Sequence, residues 1–484
     1  MSHLRSIPAL LFALLMVVPL PFLPEFGGAN SSTRLMLTAA LVDEGSTRID
    51  RHSTLTIDKA RVGDHYYSDK APGMALLAVP AYAVGRAVAP KGTEALFQLT
   101  SPLDILPRST MLIWRAIAWT TGGILMALAG VAIYRMGLRI GGDRRAALMA
   151  SISVCLATPV LGWSTQFFGH VGAGAALAIA FSLCTGIKYG PGLLSAGSRA
   201  TLVGAALSLA VTIEYTAGGA AMLIALYALW HITALPGRKA WRLFALGFAA
   251  ALVAALPILF YHFISFGSPF SVGYSSVVGF EGMDQGFLGL TTPNMTVLGK
   301  IIYGFQRGIL WLSPLLVLVP VGIWLGLRRR DPKEVDARGE TLLCLSVIVY
   351  YFLLNASYYY WSGGSSVGPR HTIPAVFFAA LPLLWLWKSW QGNARTALQG
   401  LFAISLFFSL ACASMTMVVP GRMRFPLKDP ILENLLTDQN VFFRMQNWGL
   451  PPILVFGAWL VVSLGLLWLL WRATANSQSM SASG

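Results

Sequence analysis

The sequence predicts an all-α integral membrane protein of about twelve transmembrane helices, with juxtamembrane helices in a long first extracytoplasmic loop. Three observations carry this. Of 484 residues, 56% are hydrophobic and only 11% charged, against about 25% charged in an ordinary soluble protein. Apolar stretches of roughly 20 residues, long enough to cross a bilayer as helix, recur along the whole chain rather than in one anchor. The charges are sorted between loops rather than scattered.

The apolar windows lie near 7–25, 111–134, 146–163, 170–187, 200–214, 216–233, 243–262, 308–326, 341–355, 371–387, 397–419 and 450–471. The first ends in Pro-Leu-Pro-Phe-Leu-Pro without a small-residue cleavage pattern, so it reads as a retained helix rather than a signal peptide. The break between the fifth and sixth rests on Glu214-Tyr215. Residues 1–472 form a single transmembrane domain, and the Ser-rich stretch 473–484 is expected to be a disordered tail. Cys155, Cys184, Cys344 and Cys412 all lie inside apolar runs without metal-ligand or disulfide spacing, and read as small core residues.

Net charge is +15. Placing the N-terminus in the cytoplasm puts most of it on that side, in Arg135, Arg139, Arg144, Arg145, Lys188, Arg199, Arg238, Lys239 and Arg242. The run Arg328 to Arg338, Lys388, Arg395 and Arg472 follow on the same side. The charge is therefore a topology signal, and nucleic acid is not implied. The other side holds the long polar segments 26–110, 263–307 and 420–449 and the shorter 355–370, so function is expected to face outward. No internal repeat is visible, which weighs against an inverted-repeat transporter.

The first outer segment is rich in acids. Within it, Ser32 to Val42 has apolar spacing that suits a short helix lying in the interface, and Pro72–Val88 suits a second. Between them lies His65-Tyr66-Tyr67-Ser68-Asp69-Lys70-Ala71-Pro72. A carboxylate beside a lysine at a membrane surface can take a proton from a hydroxyl nucleophile and hold an anionic leaving group. The same two residues would equally make a solvated surface pair.

A first outer loop of two juxtamembrane helices, with an acidic-Lys-Pro-like step opening the second, resembles the GT-C superfamily of polyprenyl-phosphate-sugar-dependent glycosyltransferases. The likeness is to the protein O-mannosyltransferase and aminoarabinose-transferase branches. Asp69-Lys70-Ala71-Pro72 is similar to the Glu-Lys-Pro step that holds the lipid phosphate in the aminoarabinose branch, with Asp for Glu and Ala71 inserted. Further similar segments are Gln166-Phe167-Phe168-Gly169-His170, Phe266-Gly267-Ser268-Pro269-Phe270, Gln306-Arg307-Gly308 and Trp361-Ser362-Gly363-Gly364 through Arg370. One departure stands out. Where the aminoarabinose branch places its proposed catalytic Asp, at the start of the first juxtamembrane helix, this chain has Asn30. An amide cannot act as the base, so the resemblance requires another carboxylate, with Asp58, Asp69 and Asp50 as candidates in that order.

Arg307 and Arg370 each open an apolar run on the outer side, where they suit bidentate phosphate binding or interfacial anchoring. Gly363-Gly364 and Gly368-Pro369 suit a tight loop that brings backbone close to a ligand or another segment. Tyr360 and Trp361, with Tyr358 and Tyr359, would give a sugar its aromatic faces or form an aromatic belt. His65, Tyr66, Tyr67 and His170 complete the candidate substrate contacts. His170, Glu214 and His65 are suitable ligands for a divalent cation, although nothing in their spacing demands one. The residues fix no cofactor, and a divalent cation stays open.

The resemblance implies transfer of a sugar from a polyprenyl-phosphate donor to an acceptor hydroxyl, with inversion at the anomeric centre. One of the carboxylates would be the base, and Lys70, Arg370 and Arg307 would hold the phosphate. It implies a bacterial inner (plasma) membrane, an extracytoplasmic site, and a glycan, lipid or protein acceptor. The chain has no Gly-rich nucleotide loop, as expected where the donor is lipid-linked. The competing reading is a transporter or flippase of lipid-linked sugars, which would place ionisable residues near mid-bilayer.

Overall fold

The computed structural model describes residues 2–22, 24–25, 28–98, 107–190, 194–329, 335–437 and 450–479. Among the described residues the protein is all-α apart from one two-stranded ribbon. All twelve predicted segments are helical. Eight helices among the described residues are long and apolar enough to cross a membrane, and the other four segments are short or interrupted.

The helices that matter for the site are, in chain order, α1 (Ser2–Val17), α2 (Ala29–Ala39) and α3 (Gly73–Val88). Then come α4 (Arg108–Gly141), α5 (Arg144–Leu156), α6 (Gly169–Tyr189) and α7 (Ala196–Ile213). These are followed by α8 (Ala217–Thr233), α9 (Gly237–Phe266), α10 (Met295–Tyr303) and α11 (Arg338–Ser357). The last three are α12 (Arg370–Ser389), α13 (Gly392–Met415) and α14 (Pro452–Ser479).

Local chemistry sets several of these boundaries. Asp143 accepts from the Ala146 amide at the start of α5, Ser195 from Ser198 at α7, and Asn294 from Thr296 and Val297 at α10. α7 stops at Ile213 and α8 begins at Ala217, which is the predicted break at Glu214-Tyr215. α7 and α9 cross on small residues, since a Cβ at Gly204 would run into the carbonyl of Gly247. All four cysteines are free and buried.

Two expectations need correction. The 32–42 helix runs over Ala29–Ala39 and has no wet polar face: α2 is buried over nearly all its length and packs on α3. Arg34 within it is 1% exposed and pairs with Glu214 inside the protein. Part of the tail expected at 473–484 is helical, because α14 runs on to Ser479 through Ala473 and Ala475, both strong helix formers. Part of the outer segment 420–449, residues 438–449, lies outside the described residues, as do 480–484.

The bundle has two unlike ends. At one, the loops rich in arginine and lysine gather: Lys188 pairs with Glu340 at 2.8 Å, and Lys388 donates to the Gly141 carbonyl. At the other, the first outer segment is zipped to the 263–307 segment. Ala60–Val62 pairs antiparallel with His65–Tyr67, Ala60 bridges on to Val277, and the Val278 amide donates to the Lys59 carbonyl. The 263–307 segment is tied in turn to the 355–370 segment, where Thr291 and Asn294 amides donate to the carbonyls of Ser357 and Ala356.

Candidate active site

Where these segments meet, they enclose a cavity of about 810 Å³. Its charged wall is built from the first outer segment. Lys70 extends its ammonium between two carboxylates, 2.6 Å from Asp69 Oδ2 and 3.1 Å from Asp58 Oδ2. Asp58 and Asp69 are 7% and 1% exposed, so all three groups sit largely away from water. Burial pushes the Asp69 carboxyl up to about 6, against the pull of Lys70. Burial also works against the Lys70 ammonium, but Asp69 and Asp58 outweigh it and hold the group well above its ordinary value. The Tyr274 ring lies 5.5 Å from the ammonium, and the turn carrying it sits so close that a Cβ at Gly273 would strike the Asp69 backbone.

The loop bearing Lys70 is held from behind. Arg34 donates to Glu214 Oε1 at 2.7 Å, to Asn30 Oδ1 at 3.1 Å and to the Ala71 carbonyl at 3.2 Å. This ties the start of α2, the Lys70 loop and the α7–α8 break to one guanidinium. A buried pair of this kind costs about 3–5 kcal/mol to break by removing one partner. Asn30, where the resemblance would place an acid, thus faces the cavity as a hydrogen-bond partner of Arg34.

Arg370 also lines the cavity. Its guanidinium lies 5.2 Å above the Phe168 ring, and its Nε has no hydrogen-bond partner among the described residues. It forms no ion pair there either, so its donors are free for an anion entering the cavity. The tight loop before it needs glycine: Gly363 has φ 68°, and a Cβ there would sit 2.9 Å from Arg370 Nε.

No family model and no curated protein matches the sequence. Solved structures do match the fold. ArnT from Cupriavidus metallidurans bound to undecaprenyl phosphate superposes with a TM-score of 0.51 at 14% identity, covering 100% of this chain and 79% of that one. The chain shares the fold of that ArnT structure. The apo state of the same ArnT gives 0.51 and 14%, over 98% and 76% of the two chains. The apo oligosaccharyltransferase of Archaeoglobus fulgidus gives 0.46 and 13%, over 87% and 57%.

Within this fold, Asp58, Asp69, Lys70, His170, Glu214, Tyr358, Tyr359, Tyr360, Gly363 and Arg370 of the sequence candidates line the cavity. Asp50, His65, Tyr66, Tyr67, Arg307 and Trp361 do not. Asp50 turns away to accept from the Tyr66 amide at 2.6 Å and to meet His65 Nδ1 at 2.8 Å, which fixes the exposed end of the ribbon. Tyr66 stacks under Lys59, and Tyr67 packs edge-on against Phe266. Trp361 lies 5.3 Å from Lys300 on the α10 side. Arg307 is 1% exposed and spends its donors on the carbonyls of Ser362, Gln306 and Gly364 at 2.7–2.9 Å, so it braces loops instead of facing the cavity. Because His65 is held by Asp50, it does not join His170 and Glu214, which are 3.9 Å apart. Among the described residues no group of three or more His, Cys, Asp or Glu is placed to hold a metal ion.

Sequence reading missed Asn355 and His371, which also line the cavity. Asn355 closes an apolar run, and a polar residue within a span is itself a signal. His371 follows Arg370 directly and was hidden behind it.

Proposed function

We propose that the protein is a membrane glycosyltransferase that moves a sugar from a polyprenyl-phosphate donor to an acceptor hydroxyl on the extracytoplasmic side. The observation that carries this is the Asp58–Lys70–Asp69 cluster lining one cavity with an unpaired Arg370, in a fold shared with ArnT. Lys70 and Arg370 supply positive charge for a lipid phosphate. That ArnT was crystallised with undecaprenyl phosphate supports a lipid of that kind. The basic loops at the far end of the bundle support an outward-facing cavity.

The roles divide by geometry. Asp69 is the more buried and is locked on Lys70, so it positions the ammonium. Asp58 lines the cavity with Oδ2 on Lys70, leaving Oδ1 to accept the acceptor's proton. As the acceptor oxygen bonds to the anomeric carbon, the bond from that carbon to the phosphate oxygen breaks, and the phosphate leaves with its charge met by Lys70 and Arg370. A phosphate is a weak enough base to depart without a general acid.

The test is transfer by the purified protein from a panel of radiolabelled polyprenyl-phosphate sugars, with Asp58→Asn, Asp69→Asn and Lys70→Ala beside it. Turnover lost in Asp58→Asn with donor binding retained is the expected result. Movement of sugar-lipid across liposomes that survives all three changes, with no transfer from any donor, would overturn the reading in favour of a transporter.

A further inference from the structure

Besides Asp69 Oδ1 and Arg370 Nε, three uncharged polar side chains in the cavity remain unspent. His170 Nε2, His371 Nε2 and both amide atoms of Asn355 are buried with no hydrogen-bond partner among the described residues, and all three residues line the cavity. His170 and Asn355 are 5% and 1% exposed. A buried polar atom left unpaired costs about 1–3 kcal/mol. Four such atoms in one place are a recurring expense for a fold that could have used apolar residues there. They become useful if a ligand pairs with them.

The kind of ligand follows from the groups. A neutral imidazole nitrogen either donates or accepts, and a carboxamide offers two donors and an acceptor. Together they match ring hydroxyls, each of which donates and accepts at once. Charge in the vicinity is either paired within the protein or, for Arg370, assigned above to the phosphate. Glu214 is paired with Arg34 at 2.7 Å, and Lys70 is held by Asp58 and Asp69. An ammonium or carboxylate on the ligand would find no free counter-charge among these three groups. The rings form a corner: His170 and His371 meet edge to face at 5.3 Å, and Tyr358 stands edge-on to His371 at 5.4 Å. Such faces suit the C–H surfaces of a sugar. Position agrees with chemistry, since His371 directly follows Arg370, the group assigned above to the phosphate.

We propose that His170, His371 and Asn355 form the glycosyl subsite of the cavity, and that this subsite takes an uncharged, hydroxyl-bearing sugar in preference to an amino sugar or a uronic acid. The proposal rests on the polyprenyl-phosphate reading above and narrows its substrate.

The experiment measures affinities of the full-length protein in nanodiscs for four probes: bare polyprenyl phosphate and polyprenyl-phosphate mannose, arabinose and 4-amino-arabinose. At least one neutral sugar-lipid is expected to bind more tightly than the bare lipid phosphate. Asn355→Ala and His371→Ala should each remove about tenfold of that affinity, the size of one buried hydrogen bond, and leave the bare lipid phosphate unchanged. His371→Gln, which keeps a neutral polar atom, should lose less, and it serves if the alanine variant does not fold. Tightest binding of the amino sugar would overturn the proposal, as would variants that weaken sugar-lipid and bare lipid alike or weaken neither. Failure of the wild-type protein to bind bare polyprenyl phosphate would sink the functional reading instead. The subsite is then decided by methyl mannoside and methyl arabinoside, whose thermal stabilisation of the wild-type protein but not of Asn355→Ala is expected, and whose failure to stabilise it overturns the subsite as well.

Discussion

The loop collar around Arg307 and the cavity wall around Arg370 lie at one end of the bundle, and the sequence offers both arginines in the same setting, before an apolar run. The structure treats them oppositely. Arg307 is sunk among the carbonyls of residues 306, 362 and 364, which its fork of donors satisfies, so its charge is spent on holding loops. Arg370 is also buried, though less deeply, and has an unpartnered Nε, an aromatic ring below it and the cavity in front. Burying a charge does not make a site. Burying one with donors unspent beside an open volume does, because only a ligand can then offset its desolvation.

The sharpest break in that comparison comes from the carboxylate–lysine cluster that shares the cavity with Arg370. Asp58→Asn is expected to lower turnover about 1,000-fold, within the range for loss of a general base, while donor affinity stays within a few-fold. Lys70→Ala should lose both, since it removes the cation that meets the phosphate and leaves two carboxylates facing each other. Single-turnover assays with donor binding measured separately distinguish these outcomes. If Asp58→Asn retained turnover, the base would have to be sought in Asp69.

The two arginines should then separate cleanly. Arg370→Ala is expected to weaken donor binding about 10- to 100-fold, the worth of one or two charge-assisted hydrogen bonds, with little loss of thermal stability because the deleted charge forms no ion pair among the described residues and only a cation–π contact with Phe168. Arg307→Ala should do the reverse. Leaving its carbonyl partners unpaired should cost about 3 kcal/mol of stability while the folded fraction binds donor normally. Donor titration beside thermal unfolding checks both, and a donor-binding defect in folded Arg307→Ala would erase the distinction.

A smaller effect is expected from pH. Burial raises the Asp69 carboxyl to about 6, so the charged form that grips Lys70 is lost as pH falls through 6. Turnover should decline on that acid side, and Asp69→Asn, slow throughout, should show no such limb. Stability moves the other way. Between 3.8 and about 6 the folded chain holds a proton that the unfolded chain has released, so this group's contribution favours the fold increasingly as pH falls through that window. A pH–rate profile run beside pH-dependent melting separates the two.

What the sequence made legible follows the range of the forces involved. Apolar windows mark helices because bilayer burial is read residue by residue, and all twelve proved helical. Of the two helices of the first outer loop, the second was placed to within a residue and the first to within three, but the burial of the first was not. An amphipathic stripe looks alike whether its polar face meets water or, as with Arg34, a buried partner 180 positions away. The Asp69-Lys70 step was visible because the two are adjacent. Asp58 as the second carboxylate on Lys70 needed the ribbon, which no periodicity announced. Asn355 and His371 become a pair only when α11 and α12 are packed, and no local pattern encodes that packing.

The smallest effect belongs to the candidate that the structure moved out of the site. Asp50 and His65 are each about 40% exposed, and they hold one another across the ribbon rather than face the cavity. An exposed pair of this kind is worth about 0–1 kcal/mol. Asp50→Asn keeps an acceptor for the Tyr66 amide and removes only the charge, so melting should shift by no more than that and turnover should stay within about twofold. His65→Ala should behave the same way. A large loss of turnover in Asp50→Asn without a matching loss of stability would mean that the ribbon swings inward during the reaction, bringing a third carboxylate to a wall that has two in this structure. The argument that unspent groups beside the cavity make the site would then have to be rebuilt around a moving loop.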